Sequence, residues 1–528
     1  MNRWVVACAG LAVLSGLALM KYAGIESDEA VFAMPLYAPF DRNFGVTVFH
    51  HHVPLMIFYY AGALKALLYW PIFQIFGVNP LSVRIPIICV TGLTVALWFR
   101  LAQRLAGARA ARLASLLLAS DPSFLITNTF DWGPVAVEHL LLVCACVLAV
   151  EGRLGAASVL IGLALWNKAV FLWACVGLTL GGFVYHRRLL RVFRDRGQIL
   201  RCVCGFLIGA MPLIVYNAHR PLATFRSNVH VSMGDMPAKL QSLRYTLDGS
   251  ILFGTIVDVN SSSDQQPPPT RIGRFSTYIA KSLGGVYHSL FFYGMVLGCF
   301  ALPFWWPVPK RRAVLFSLFF CTGAFAMISI TNYAGAPHHI VLLFPFAQLF
   351  VAAAVVSLRP IWLSRTLSGT LVLANLLVLN QYIARLEAEG AQGLFTDAIY
   401  QLSADLPDSP SSTIYSVDYG LSENLIALHQ GKLSLKFLWV LSIPVNEITA
   451  AISDQKGIFI SHLRGHEYYQ GTADRLDVIA STAGYRRKSL SFVPDSHHRP
   501  QFEIFRFEPV AVPLITDTHT PNRQLGRN

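Results

Sequence analysis

Charge is what this sequence has little of. Only 13% of its 528 residues are charged, against 54% hydrophobic, where a soluble globular chain carries roughly 25% charged residues. That scarcity excludes a soluble domain as the main body. Apolar runs long enough to cross a bilayer recur from Trp4 to about Arg385, so the chain reads as a polytopic α-helical membrane protein. Cysteine is missing from the polar C-terminal part. All nine cysteines (Cys8, Cys89, Cys144, Cys146, Cys175, Cys202, Cys204, Cys299, Cys321) fall in apolar runs. The pairs Cys144/Cys146 and Cys202/Cys204 suit neither a disulfide framework nor a metal spacing, and they read as small buried hydrophobes. No internal repeat is visible, which weighs against a transporter built from two related halves. The net charge of +13 does not indicate nucleic acid as a partner. The positive residues cluster in short loops between apolar runs, which is the positive-inside pattern.

That pattern orders the chain. Arg3 places the N-terminus in the cytoplasm, and Trp4–Met20 is too long for a signal-peptide core, so it reads as an uncleaved first span. The basic segment Arg100, Arg104, Arg109 and Arg112 belongs inside. It stays there only if one of the two runs before it does not cross. Val53–Gly77, interrupted by Lys65 and Pro71 and rich in Phe58, Tyr59, Tyr60, Tyr69 and Trp70, is expected as a juxtamembrane helix in the first outer loop. The turns around Asp131 and Lys168 then fall outside and the basic run His186–Arg201 inside. Asn217–Lys281, with Ser261–Ser263 and Pro267–Pro269, reads as a long flexible outer loop, the kind of stretch that acts as a lid. The total is about eleven spans in residues 1–385. Residues 386–528 change composition. Strands are expected at Thr413–Val417, Gly457–Ser461 and Phe502–Arg506, helices at Ser422–Leu428 and Thr472–Ser481, and disorder past Pro513. Alternating strands and helices make this a small α/β extracytoplasmic domain on a multi-pass protein of the cell (inner) membrane.

Topology gathers polar groups on one outer surface. Glu26-Ser27-Asp28-Glu29 follows the first span and opens a short apolar helix. Two acids in a first turn are ordinary dipole partners, yet at a membrane surface a carboxylate raised by desolvation also suits a general base. Asp28 is the candidate base, with Asp131 as a second candidate catalytic acid. Glu29, His50, His52, Arg84, Lys168, His338 and His339 are candidate substrate-binding residues. Each has a plainer reading: Arg84 and Lys168 as snorkelling anchors, His50–His52 as a solvated loop or a metal site, His338-His339 as a helix cap, and Asp131 as a turn acid.

In order along the chain, Asp28-Glu29, His52-Val53-Pro54-Leu55, Phe76-Gly77-Val78 with Arg84-Ile85-Pro86, Ser120-Asp121-Pro122, Asn167-Lys168, Pro212 to Tyr216-Asn217, and His338-His339 to Pro345 resemble the motifs of the GT-C glycosyltransferases. The branch is the one holding protein O-mannosyltransferases and lipid A aminoarabinose transferase. The resemblance covers about the first 385 residues. It departs at His52-Val53, where the family carries Pro-Pro, and in having histidine where the aminoarabinose transferases carry a phosphate-contacting lysine. It implies transfer of a sugar from a polyprenyl-phosphate donor to a lipid, glycan or protein acceptor at the outer face. It implies no nucleotide and no obligatory metal, and a divalent ion is not excluded. A flippase of lipid-linked sugars and a non-catalytic membrane scaffold are the rival readings.

Overall fold

The computed structural model describes residues 2–37, 44–185, 195–228, 232–258, 270–302, 311–332, 334–407 and 412–510. His186–Arg194, the serine and proline triplets of the long outer loop, and the tail past Pro513 lie outside the described residues.

The chain forms two compact units, one comprising Met1–Asp408, Gly420–Leu433 and Pro494–Arg499, the other Ser409–Tyr419, Ser434–Val493 and Pro500–Asn528. The first unit is helical and reaches past the boundary expected at residue 385. Its helices are α1 (Arg3–Leu19), α2 (Ser27–Val31), α3 (Leu64–Phe76), α4 (Pro80–Ala106), α5 (Ala108–Ser120), α6 (Pro122–Thr129), α7 (Val135–Val150), α8 (Leu154–Asn167), α9 (Leu172–Tyr185), α10 (Arg196–His219), α11 (Ala223–Asn228), α12 (Met236–Leu247), α13 (Arg271–Ser282), α14 (Phe291–Ala301), α15 (Arg311–Ile330), α16 (Pro337–Ile340), α17 (Phe346–Val355), α18 (Ile361–Glu389), α19 (Ala398–Asp405) and α20 (Ser422–Leu428). Among the described residues, α4, α10, α15 and α18 are long and apolar enough to cross a membrane, and a bent pair built on α16 and α17 is a fifth candidate. Shorter apolar helices, α1, α3, α7, α8, α9 and α14 among them, fill in between.

Local sequence sets the breaks. Asn79 caps α4 and Pro80 takes its first position, where a missing N–H costs nothing. Asp121 accepts from the Phe124 N–H at 3.0 Å and Pro122 follows, so one crossing expected from Ala111 to Thr127 is split into α5 and α6. Glu26 caps α2, accepting from the backbone N–H groups of Asp28 and Glu29.

Two further expectations change. Val53–Gly77 is not one helix. Its first part is strand β2 (His51–Phe58), paired antiparallel with β1 (Phe44–Val48) and β3 (Ala61–Gly62), and only α3 is helical. Met56 and Ile57 are both buried, so this strand lacks the apolar–polar alternation that would have marked it, and a continuous apolar run does not distinguish strand from helix. The stretch Asn217–Lys281 is not an extended loop either. It carries α11, α12 and α13, and α13 packs on α18 through Ser276 Oγ to the Asn380 carbonyl at 2.9 Å.

The second unit is a five-stranded sheet in the order β5-β4-β6-β8-β7, where β4 is Ile414–Ser416, β5 Leu435–Phe437, β6 Ile458–His462, β7 Tyr485–Pro494 and β8 Pro500–Pro509. β4 runs parallel to both its neighbours and β8 antiparallel to β6. Helices α21 (Val445–Ile452) and α22 (Thr472–Thr482) supply Ile448 and Leu476 to a core with Phe459 and Phe505. At the carboxyl ends of β4 and β6, buried Asp418 accepts from His462 at 2.7 Å.

Candidate active site

Two buried ion pairs frame the region after α1. Glu29 meets Arg84 of α4 through two bonds, at 2.9 and 2.8 Å, and both side chains are buried. The same guanidinium donates to the carbonyls of Met20, Ala23 and Gly24. All five guanidinium donors are thereby used, and none is left for a phosphate. Asp131 pairs with Lys65 of α3 at 2.7 Å, again fully buried, and its other oxygen accepts from the Ala136 N–H at the start of α7. Sequence reasoning had treated Lys65 as an interruption in an apolar stretch. Its signal was there, since a lysine inside an apolar helix near the membrane needs a buried partner.

Between these pairs and α8–α10 opens a cavity of about 840 Å³. Asp28, Lys168, His338 and His339 line it, with Tyr59 and Tyr60, while its larger wall is apolar, with Leu165 of α8, Leu213 and Ile214 of α10 and Met327 of α15. Lys168 Nζ donates to the Gly133 carbonyl at 3.0 Å. A Cβ at Gly133 would sit 2.8 Å from Lys168 Nζ and 3.1 Å from the His338 ring, so the amine and the imidazole converge on that turn. Burial pulls the Lys168 ammonium down from its ordinary range, opposed by the charges of Glu138, Asp28 and Asp131. The His338 ring packs tilted against Trp132 at 5.0 Å, and the His339 ring meets Trp173 edge-on at 5.4 Å. Each keeps a buried Nδ1 with no hydrogen-bond partner among the described residues.

Strands β2 and β3 and the turn between them hold this geometry. Ala61 bridges Lys168 across the backbone, the Ala169 N–H donates to the Tyr60 carbonyl at 2.7 Å, and Trp166 Nε1 donates to the Leu55 carbonyl at 2.8 Å. The small sheet thus pins the turn that carries the lysine.

The structure brings Asp28, Lys168, His338 and His339 to one cavity. It does not bring Glu29, Arg84 and Asp131 there, because each is committed to a buried partner. His50 and His52 do not line the cavity either. They are exposed on the β1–β2 hairpin, His50 in its turn with φ +68°. Glu423 was missed altogether. It lies on α20, which packs against α2, and its carboxyl is raised, by burial first and also by the Asp28 charge. Almost 400 residues separate Glu423 from Asp28, and no local pattern links them. Among the described residues no group of three or more His, Cys, Asp or Glu is arranged to hold a metal ion.

Residues 62–216 match the family described as dolichyl-phosphate-mannose-protein mannosyltransferase. Among solved structures, ArnT from Cupriavidus metallidurans bound to undecaprenyl phosphate is similar over 95% of this chain and 98% of its own, at 17% identity and a TM-score of 0.55. The chain resembles the GT-C glycosyltransferases. ArnT in the apo state is similar to this GT-C-like chain over 95% and 97%, at 14% identity and the same TM-score of 0.55. Archaeal oligosaccharyltransferase AglB from Archaeoglobus fulgidus, in complex with an inhibitory peptide and a dolichol-phosphate, is similar at 12% identity and a TM-score of 0.48, over 92% of this chain and 69% of its own. No curated protein matches the chain in sequence. The fold is similar to that of ArnT, and the family match falls on residues 62–216 of it.

Proposed function

We propose that this chain moves a sugar from a polyprenyl-phosphate donor to a hydroxyl acceptor at the outer membrane face, by inverting displacement in the 840 Å³ cavity. One observation carries the reading. A carboxylate, a buried lysine and two under-partnered imidazoles share a cavity whose remaining wall is apolar. Asp28 takes the acceptor proton, and the acceptor oxygen attacks the anomeric carbon from the face opposite the phosphate. The bond from that carbon to the phosphate oxygen breaks, and polyprenyl phosphate leaves with both electrons. Lys168 meets the charge that develops on the leaving oxygen, which is where a preorganised cation is worth most. His338 and His339 offer the imidazole donors beside it. The apolar wall of α8, α10 and α15 takes the first isoprenoid units, and the bound undecaprenyl phosphate named for ArnT supports a lipid of this class as donor.

The test is sugar transfer and donor affinity, measured side by side on purified protein. Asp28→Asn keeps the shape and removes the base, so turnover should fall roughly 10²–10⁴-fold while donor binding survives. Lys168→Ala should weaken donor binding as well as rate. Near-parent turnover in Asp28→Asn would remove it from the mechanism.

A further inference from the structure

The other end of the membrane unit holds a second hollow, which glycosyl transfer leaves unused. Asp28 follows α1, Asp131 follows α6, and His338 lies in α16. At the opposite ends of these same helix runs lie Trp4, Arg109 with Arg112, and Ser357 with Arg359. α5 has 13 residues and α6 has 8, and their summed helical rise is about 32 Å, close to the roughly 30 Å hydrocarbon core of a bilayer. The hollow measures about 760 Å³ and is lined by Arg109, Arg112, Arg359 and Arg365, and among the described residues no Asp or Glu lines it.

We propose that this hollow binds the phosphodiester headgroup of an anionic glycerophospholipid. Four guanidiniums around one concavity repel each other unless an anion sits between them, and the lining residues supply none. Arginine's planar fork matches phosphate oxygens in pairs, and Ser357 stands beside it on the same lining. The starts of α1, α5 and α18 meet here, and none has an acid in its first turn, so their partial positive ends add to the same field. Arg112 lies over the Trp4 ring at 5.4 Å, which places a cation and an interfacial aromatic at one depth. Not every arginine at this end is available. Arg104, outside the hollow, is paired with Glu151 at 2.6 Å. The general excess of positive charge and the hollow are therefore separable features, and basic pockets between membrane helices are where anionic headgroups bind. The proposal rests on the membrane-spanning fold and not on the transfer chemistry.

The experiment uses the full-length protein in detergent, titrated with short-chain phosphatidylglycerol or phosphatidylcholine, with bound lipid counted by native mass spectrometry. Phosphatidylglycerol should bind stoichiometrically and more weakly as salt rises, and phosphatidylcholine should not compete. Each arginine removed should cost roughly fivefold in affinity, so Arg359→Gln/Arg365→Gln should bind about 25-fold more weakly. Arg109→Gln/Arg112→Gln should do the same and serves if the first pair does not fold. Arg100→Gln/Arg104→Gln, outside the hollow, should bind like the parent. Equal loss in that control, equal binding of phosphatidylcholine, or displacement of the lipid by equimolar inorganic phosphate would each overturn the proposal.

Discussion

Adjacent acids at the start of α2 have opposite surroundings, and that separates their roles. Asp28 lines the cavity, while Glu29 is sealed against Arg84. Removing one partner of a buried pair costs about 3–5 kcal/mol, because the other charge is left uncompensated. Glu29→Gln should therefore lower the unfolding temperature and the folded yield, yet turn over near the parent rate per folded molecule. Asp28→Asn should show the reverse. Calorimetry beside active-fraction kinetics decides between them. A stable, inactive Glu29→Gln would hand the base role to Glu29. Glu26 adds a pH signature. Burial, and next the Asp28 charge, hold its carboxyl well above the ordinary carboxylate range. A native pKa above the unfolded one means the folded state binds the proton more tightly. Its contribution is complete below about pH 4.5 and is lost as pH rises through the native pKa. Glu26→Gln keeps a capping acceptor without the charge. Its unfolding temperature relative to the parent should rise between pH 4.5 and pH 8. A constant difference across that range would show that Glu26 carries no such linkage.

At the scale of elements, the sheet β1–β3 matters more to the site than its size suggests, since it fixes the Lys168 turn. Gly62 is the tight point. A Cβ there would collide with the Trp166 carbonyl and indole. Gly62→Ala must push β3 off the end of α8 and carry the Ala61–Lys168 bridge with it. The expected result is weaker donor binding, by roughly tenfold or more given how steeply reactivity depends on placement, with every charged residue intact. Donor titration of Gly62→Ala against Lys168→Ala tests this, and parent-like affinity in the glycine variant would mean the turn is held elsewhere. This sheet was also the least legible element. Its strand is buried on both faces at Met56 and Ile57 and merges into the apolar run that becomes α3, whereas Asn79-Pro80 and Asp121-Pro122 carry a local capping signal, although the crossing expected from Ala111 to Thr127 ran through the second.

For the whole molecule, what sequence made legible follows from what is local and what is not. Charge placement is readable from the chain alone, so the sidedness that gathers Asp28, Lys168 and His338 could be argued before any coordinates. Pairing is not readable, and so Arg84 and Asp131 looked available when Glu29 and Lys65 had already neutralised them. Glu423 shows the same limit, since only folding brings the chain's last third to α2. Sidedness is the property on which both the transfer reading and the arginine hollow depend, and it can be measured directly. Single cysteines introduced at His50, Arg104 and Lys456 on a cysteine-free background should separate cleanly in intact cells. On the expected topology, with Arg3 inside, an odd number of crossings precedes His50 and Lys456 and an even number precedes Arg104. An impermeant thiol reagent should modify the first and third and reach Arg104→Cys only after the membrane is opened. Labelling of His50→Cys and Arg104→Cys from the same side would break the topology, and with it the separation of the cavity from the arginine hollow by one bilayer thickness.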